Sequence, residues 1–301
     1  MSKWTFDSIP DQSGRRVVVT GSNTGIGFEA ARQLALKGAE VVICSRSVDK
    51  GREAMERIRQ EAPQARVCLE QLDLGDLDKV KDFAARVKQG GEKLDLLILN
   101  AGVMVPPEGK TVQGFETQFG VNHLGHFALT AHLLPLLQST EGSRVVVLSS
   151  TAATRGKMDF EDLHFQKRGY HAWAAYGQSK LANQLFTREL QRRLDAAGSK
   201  VLVTAAHPGW TATDLQRTSG TFRLLNPIFA MKPPQGALPT LRAATDPAAR
   251  GADYFGPGGI MQVRGYPQRV DMVKLAMNDA DARRLWEVSE ELTGVEFGLP
   301  G

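Results

Sequence analysis

The chain has 301 residues, with 37 Lys and Arg against 33 Asp and Glu, for a formal net charge of +4. Hydrophobic residues make up 42% and charged residues 23%, ordinary globular values that exclude disordered, collagen-like and coiled-coil classes. No run of like charge marks a nucleic-acid arm, and two cysteines are too few for a disulfide framework or a metal site.

From the N-terminus, Met1 to Gly14 carries Lys3, Asp7, Pro10 and Asp11 without an apolar core, which is not a signal peptide. Apolar runs elsewhere fall well short of the ~20 residues that span a bilayer, so a cytoplasmic protein without a membrane anchor is expected. Val17-Val18-Val19, Val41-Val42-Ile43, Leu96 to Leu99, Val145 to Leu148 and Val201-Leu202-Val203 are short, almost continuous aliphatic runs. Strands covered by helices on both faces read this way. Val67 to Leu72 alternates more and is expected nearer an edge. Cys44 and Cys68 sit in such runs and read as buried thiols.

Between the runs lie predicted helices over Ile26–Lys37, Val48–Glu61, Leu77–Lys88, His123–Leu137 and Gly177–Ala197, several closed by Gly. Asp279–Leu292 has a helical pattern too, whereas the Pro- and Gly-rich stretch from Asn226 to Gly265 reads as loops. Strand and helix in alternation imply an α/β fold, a doubly wound parallel sheet with helices on both faces, in one domain over residues 1–301.

Directly after the first run comes Thr20-Gly21-Ser22-Asn23-Thr24-Gly25-Ile26-Gly27, opening a helix. Gly21 permits the tight turn, Gly25 lets backbone approach a pyrophosphate, and Gly27 allows close helix packing. The helix's free amides and positive end then face the anion. The second run ends Cys44-Ser45-Arg46, with no acid at its tip to bond a ribose 2′-hydroxyl; Arg46 there favours the 2′-phosphate of NADP, with NAD the alternative. Tyr176 and Lys180 are four apart, which places phenol and ammonium one helical turn from each other. A cation so placed is expected to lower the phenol pKa toward the range of a general acid/base. Ser149-Ser150 closes the run from Val145, at the edge of the sheet where a hydroxyl can polarise a carbonyl.

Together these residues resemble a short-chain dehydrogenase/reductase, most similar to the branch of retinol dehydrogenases and WW-domain-type oxidoreductases. The matching elements are the glycine loop, Asp73-Leu74, Leu99-Asn100-Ala101-Gly102, Val121-Asn122-His123-Leu124-Gly125-His126-Phe127, Ser149-Ser150, Tyr176-Gly177-Gln178-Ser179-Lys180-Leu181-Ala182-Asn183 and His207-Pro208-Gly209. The resemblance implies a Rossmann-type fold and hydride transfer between NAD(P) and a carbonyl or secondary alcohol. It implies that Tyr176 is the acid/base, that Lys180 bonds the nicotinamide ribose, that Ser150 (Ser149 as fallback) polarises the carbonyl and that Asn122 holds a water behind Lys180. Gly21, Asn23, Thr24, Gly25, Ile26, Gly27, Arg46, Asp73, Leu74, Asn100, Ala101, Gly102, Pro208, Gly209 and Thr211 or Thr213 would contact the coenzyme.

The 26 residues from Ser150 to Tyr176 include Phe160, His164, Phe165, Tyr170, His171 and Trp173, read as an aromatic wall or as an excursion with its own small core. This segment, about 151–175, and Trp210–Met231, with Leu215, Phe222, Leu224, Leu225, Ile228 and Phe229, are expected to bind a hydrophobic small molecule. No metal site is expected. A homo-oligomer through the helices near 123–137 and 177–197 is compatible with the family. Carbon–carbon double-bond reduction, as in protochlorophyllide reductases, and a non-catalytic NADP sensor are the alternatives.

Overall fold

The computed structural model describes residues 3–91, 93–211 and 231–301. The aliphatic runs become β1 (Arg16–Thr20), β2 (Glu40–Ser45), β3 (Val67–Gln71), β4 (Leu96–Leu99), β5 (Arg144–Leu148) and β6 (Leu202–Ala206), joined by β7 (Tyr254–Pro257) and β8 (Pro267–Arg269). They form one sheet in the order β3-β2-β1-β4-β5-β6-β7-β8, parallel except for the antiparallel β7–β8 pair. The helices are α1 (Gly25–Leu36), α2 (Val48–Glu61), α3 (Leu77–Gln89), α4 (Thr117–Phe119), α5 (Gly125–Gln138), α6 (Ala172–Ala196), α7 (Pro233–Thr245) and α8 (Asp279–Thr293). A π-turn, Gly120–Leu124, joins α4 to α5.

Alternate residues of each central strand serve opposite cores, which is why the runs are apolar without interruption. Val18, Val42, Leu97, Leu99, Val145 and Val147 pack under α3, α5, α6 and α8 with Phe83, Phe127, Phe186 and Trp286. Val17, Val19, Val41, Ile43, Leu96, Ile98 and Val146 pack under α1, α2 and α7 with Phe28, Leu34, Ile58 and Leu241. A third, smaller core gathers Phe115, Phe119 and Leu163 with Leu181, Leu185 and Leu285. The segment after Ser150 thus does have a small core of its own, shared with α6 and α8.

Two expectations change. Within the stretch expected to be loops, Pro233–Thr245 is a helix, with its first prolines at the opening positions, where no backbone bond is lost. β7 and β8 follow it, each too short and too rich in Pro or Gly to show a period. Cys44 is buried as expected, but Cys68 is exposed, because β3 is the edge strand and turns that side chain outward.

Chain order reverses between β1 and β4, which are neighbours paired Val17 to Leu96 through Val19 to Ile98. A crevice at the carboxyl ends of these two strands is where open α/β sheets bind ligands. Among the described residues, no helix is long and apolar enough to cross a membrane.

Candidate active site

The glycine loop lies at that crevice. Gly21 has φ +65°, and a Cβ there would come 2.9 Å from the backbone of Ala101. A Cβ on Gly27 would fall 2.4 Å from the Gly21 carbonyl and 2.3 Å from the Asn100 amide nitrogen. Side chains at these positions are sterically excluded, so the turn, α1 and the end of β4 share one small volume. Asn100 fixes that contact by donating from Nδ2 to the carbonyls of Thr20, at 2.8 Å, and Gly21, at 3.3 Å. The side chain of Thr24, the residue preceding α1, makes no capping hydrogen bond to the helix. Arg46 is exposed at the carboxyl end of β2, and its guanidinium makes no ion pair among the described residues. The nearest following acid, Asp49, pairs with Arg52 instead.

Across the crevice, α6 presents Tyr176 and Lys180, which are 5% and 4% exposed. The helix starts one turn earlier than predicted, at Ala172, because His171 Nδ1 accepts the Ala174 N–H at 3.2 Å and caps it. Ser150 follows β5 on the side of the Tyr176 phenol, whose pKa its hydroxyl acts to lower. Ser149 points the other way: its hydroxyl donates to the Lys180 carbonyl at 2.7 Å and accepts from Gln184 at 3.2 Å. Of the two serines, only Ser150 meets the phenol.

Lys180 Nζ lies 5.8 Å from the centre of the Tyr176 ring and donates to the Leu148 carbonyl at 3.3 Å. Burial lowers its pKa to about 8. Burial also pushes the Tyr176 phenol up to about 12, against the lowering effect of Ser150. The depression expected from the ammonium is not found: removal from water sets the phenol's direction, and Ser150, not Lys180, acts to lower it. Asn122 sits in the π-turn, where its Oδ1 accepts the Val103 N–H at 2.8 Å. Both of its amide hydrogens are used as well, toward the Val103 carbonyl and Ser179 Oγ, each at 3.0 Å. A Cβ on Gly102 would reach both Asn122 Oδ1 and Lys180 Nζ, which brings these three residues together.

The remaining predicted contacts are placed as follows. Asp73 Oδ1 accepts the Gly75 N–H, and Leu74 is buried in the core. His207 Nδ1 accepts the Gly209 N–H at 3.2 Å, Thr211 donates to the Pro208 carbonyl at 2.9 Å, and the Trp210 N–H bonds the Val263 carbonyl. Thr213, Leu215, Phe222, Leu224, Leu225, Ile228 and Phe229 lie outside the described residues. Of the expected aromatic wall, Trp173 alone meets the phenol, edge-on with ring centres 6.2 Å apart. Phe165 and Tyr170 pack on each other, and His164 on Phe115 and Phe119. Tyr170 accepts from Gln118 Nε2 at 3.1 Å, and the buried Glu116, raised by desolvation, caps α4. Sequence reasoning missed the polar support formed by Gln118, Gln184 and the buried Tyr254; none carries a local signal, because their partners are distant in the chain.

The family model for short chain dehydrogenases matches residues 15–223, from before β1 to beyond β6. The chain is a short-chain dehydrogenase. It is 44% identical over 290 residues to retinol dehydrogenase 12 of Mus musculus, covering 94% of this chain and 88% of that one. A solved structure of an uncharacterized protein from Mycobacterium Paratuberculosis shares 42% identity at a TM-score of 0.84, over 99% of this chain and 100% of the other. A short chain dehydrogenase from Shigella flexneri 2a, complexed with NADP, aligns at a TM-score of 0.65 and 26% identity, over 80% of this chain and 95% of that one. The enzyme thus belongs to the retinol dehydrogenase branch and is an oxidoreductase of a family that works with a nicotinamide dinucleotide. Its residues fit that group: side chains are excluded at Gly21 and Gly27, where the loop after β1, the start of α1 and the end of β4 meet at the crevice.

Proposed function

We propose that the enzyme transfers hydride between NADP and the carbonyl or secondary-alcohol carbon of a hydrophobic small molecule, with Tyr176 as acid/base. The observation that carries this reading is the buried Tyr176 phenol, with the Ser150 hydroxyl lowering its pKa and Lys180 one turn away, at the crevice above β5. The nicotinamide supplies the redox chemistry when bound. Gly21, Asn23, Thr24, Gly25, Ile26 and Gly27 hold its pyrophosphate, Asp73, Leu74, Asn100, Ala101 and Gly102 its adenosine side, and Pro208, Gly209 and Thr211 its nicotinamide end. Lys180 bonds the ribose.

In the reducing direction the substrate oxygen lies between the two hydroxyls. Tyr176, protonated at neutral pH, gives its proton to that oxygen while Ser150 hydrogen-bonds the developing charge. Burial keeps water from competing for the oxygen, and the Lys180 ammonium lessens the cost of the phenolate left behind. The Asn122 side chain is fully engaged with Val103 and Ser179, so its part in proton supply falls to its carbonyl. Trp173 on the Tyr176 ring and the name borne by the relatives support an apolar substrate, and retinaldehyde is the first to try. The exposed Arg46 and the NADP held by the Shigella enzyme support NADP over NAD.

The decisive test is Tyr176→Phe, assayed by nicotinamide absorbance with a panel of apolar aldehydes, ketones and alcohols. Turnover is expected to fall at least about a hundredfold while NADPH still binds. A variant that turns over at the parental rate removes Tyr176 from the chemistry.

A further inference from the structure

Behind the site runs a buried polar chain whose middle members, Thr20 and His126, have no role in the proposed chemistry. At the end of β1 the Thr20 hydroxyl accepts the backbone N–H groups of Asn100 and Ala101, both at 2.9 Å. On its other side lies His126 Nε2, at 2.9 Å. The second ring nitrogen, His126 Nδ1, is 3.1 Å from the Asn122 carbonyl. A carbonyl has no proton to give, so Nδ1 carries the hydrogen and, in the neutral ring, Nε2 accepts. Thr20 therefore donates its single proton to Nε2 in preference to the Ile98 carbonyl, which is farther away at 3.3 Å. Donors and acceptors then match along the whole chain, as a buried network requires.

The imidazole is 2% exposed, and the charge that faces it is the Lys180 ammonium; burial and that cation both disfavour a second ring proton. Its two ends touch different parts of the site. Thr20, Asn100 and Ala101 form the strand ends beneath the coenzyme crevice. Asn122 clamps Val103 and Ser179, the residue before Lys180. An apolar side chain at position 126 would fill the volume but bridge nothing.

We propose that His126 is a positioning residue which, as the neutral tautomer protonated on Nδ1, holds the coenzyme cradle and the Asn122–Lys180 end of the catalytic site in one register. The inference rests on the roles given above to Asn122, Lys180 and the coenzyme. It separates into two halves. Asn at this position reproduces the donor toward the Asn122 carbonyl and loses the contact with Thr20. Gln reproduces the acceptor toward Thr20 and loses the bond to Asn122.

Nitrogen–proton correlation spectra of the protein alone read the tautomer: a proton on Nδ1 is expected, and a proton on Nε2 overturns the proposal. Fluorescence titration with NADPH, and kcat for retinaldehyde at saturating NADPH, then separate the two ends. His126→Asn is expected to weaken NADPH about fivefold and to slow turnover less, whereas His126→Gln slows turnover about fivefold and weakens NADPH less. Should both variants shift the two quantities together, in step with their loss of thermal stability, the histidine is only a core residue; no shift in either refutes the proposal as well. The spectra and the NADPH titration need no turnover, so they decide the matter even where Tyr176→Phe overturns the acid/base assignment.

Discussion

Tyr176 and Lys180 share one buried site, and burial moves their titrations in opposite directions. The phenol, raised to about 12, stays protonated across the working range, whereas the ammonium, lowered to about 8, does not. Lys180 is charged below its pKa, so kcat/KM for carbonyl reduction should hold steady below about pH 8 and decline above it. A profile flat to about pH 10, the usual lysine range, would assign the ammonium no part in the rate. The coenzyme's 2′ position is a second single-residue matter. Arg46 has no ion pair among the described residues to satisfy it, so Arg46→Ala should weaken NADPH about tenfold while barely changing NADH, the loss of one charge-assisted contact. Equal affinity of the parent for NADPH and NADH, by titration, would refute the preference. The sequence already showed that Tyr176 and Lys180 share a helix face, because i and i+4 on a helix face one way. The choice of Ser150 over Ser149 came from the family resemblance alone; its physical setting is the chain's turn after β5, where the Ser150 side chain accepts the Ala152 N–H and opens a short helical turn.

Elements rather than residues set how closely Ser150 approaches Tyr176. The helical turn after Ser150 ends at Gly156, which lies directly on Gly177 of α6: a Cβ on Gly177 would fall 3.0 Å from the Ala152 carbonyl and 3.1 Å from the Gly156 nitrogen. These neighbours are backbone and cannot swing aside. Ala ordinarily gains about 1 kcal/mol over Gly inside a helix, yet Gly177→Ala should destabilise the protein by about 1–3 kcal/mol and cut turnover, because Ser150 is pushed off the phenol. Thermal unfolding and kcat measure the two effects. A variant more stable than the parent, following helix propensity, would show that the crossing has slack. Aliphatic runs and Gly-closed helical stretches made β1 to β6 and most helices legible, since burial on both faces leaves a compositional trace. α7 was hidden by Pro233, Pro234 and Pro239, which read as a loop although the first two sit where helices tolerate them. The π-turn holding Asn122 leaves no period at all, so its place behind Lys180 was legible only through the family resemblance and not from any pattern of the residues.

At the scale of the whole molecule, three histidines are buried as neutral rings: His123 and His126, lowered to about 3, and His207, lowered to about 4. Each joins elements distant in sequence. His123 donates from Nε2 to Ser289, whose own hydroxyl bonds the Leu285 carbonyl, and so ties α8 to the π-turn. His207, with Nδ1 accepting from Gly209, donates from Nε2 to Gln262 and ties β6 to the loop after β7. The folded pKa values lie below the unfolded value near 6.5, so between about pH 6.5 and their folded pKa values the unfolded chain binds more protons, and stability must fall as pH falls through that window. By pH 5 each ring contributes a loss of about 2 kcal/mol, and three together about 6 kcal/mol, comparable with the whole stability of many domains. Glu116, raised by burial, acts in the opposite sense from the unfolded carboxylate value upward, inside the histidine window, and offsets a part of that loss. Urea midpoints should therefore drop steeply from pH 7 to about pH 5. His123→Gln, which cannot titrate, should lose about a third of that pH dependence whatever it costs at pH 7. A slope unchanged in the variant would mean that acid unfolding begins elsewhere, in the ion pairs and not in the buried rings.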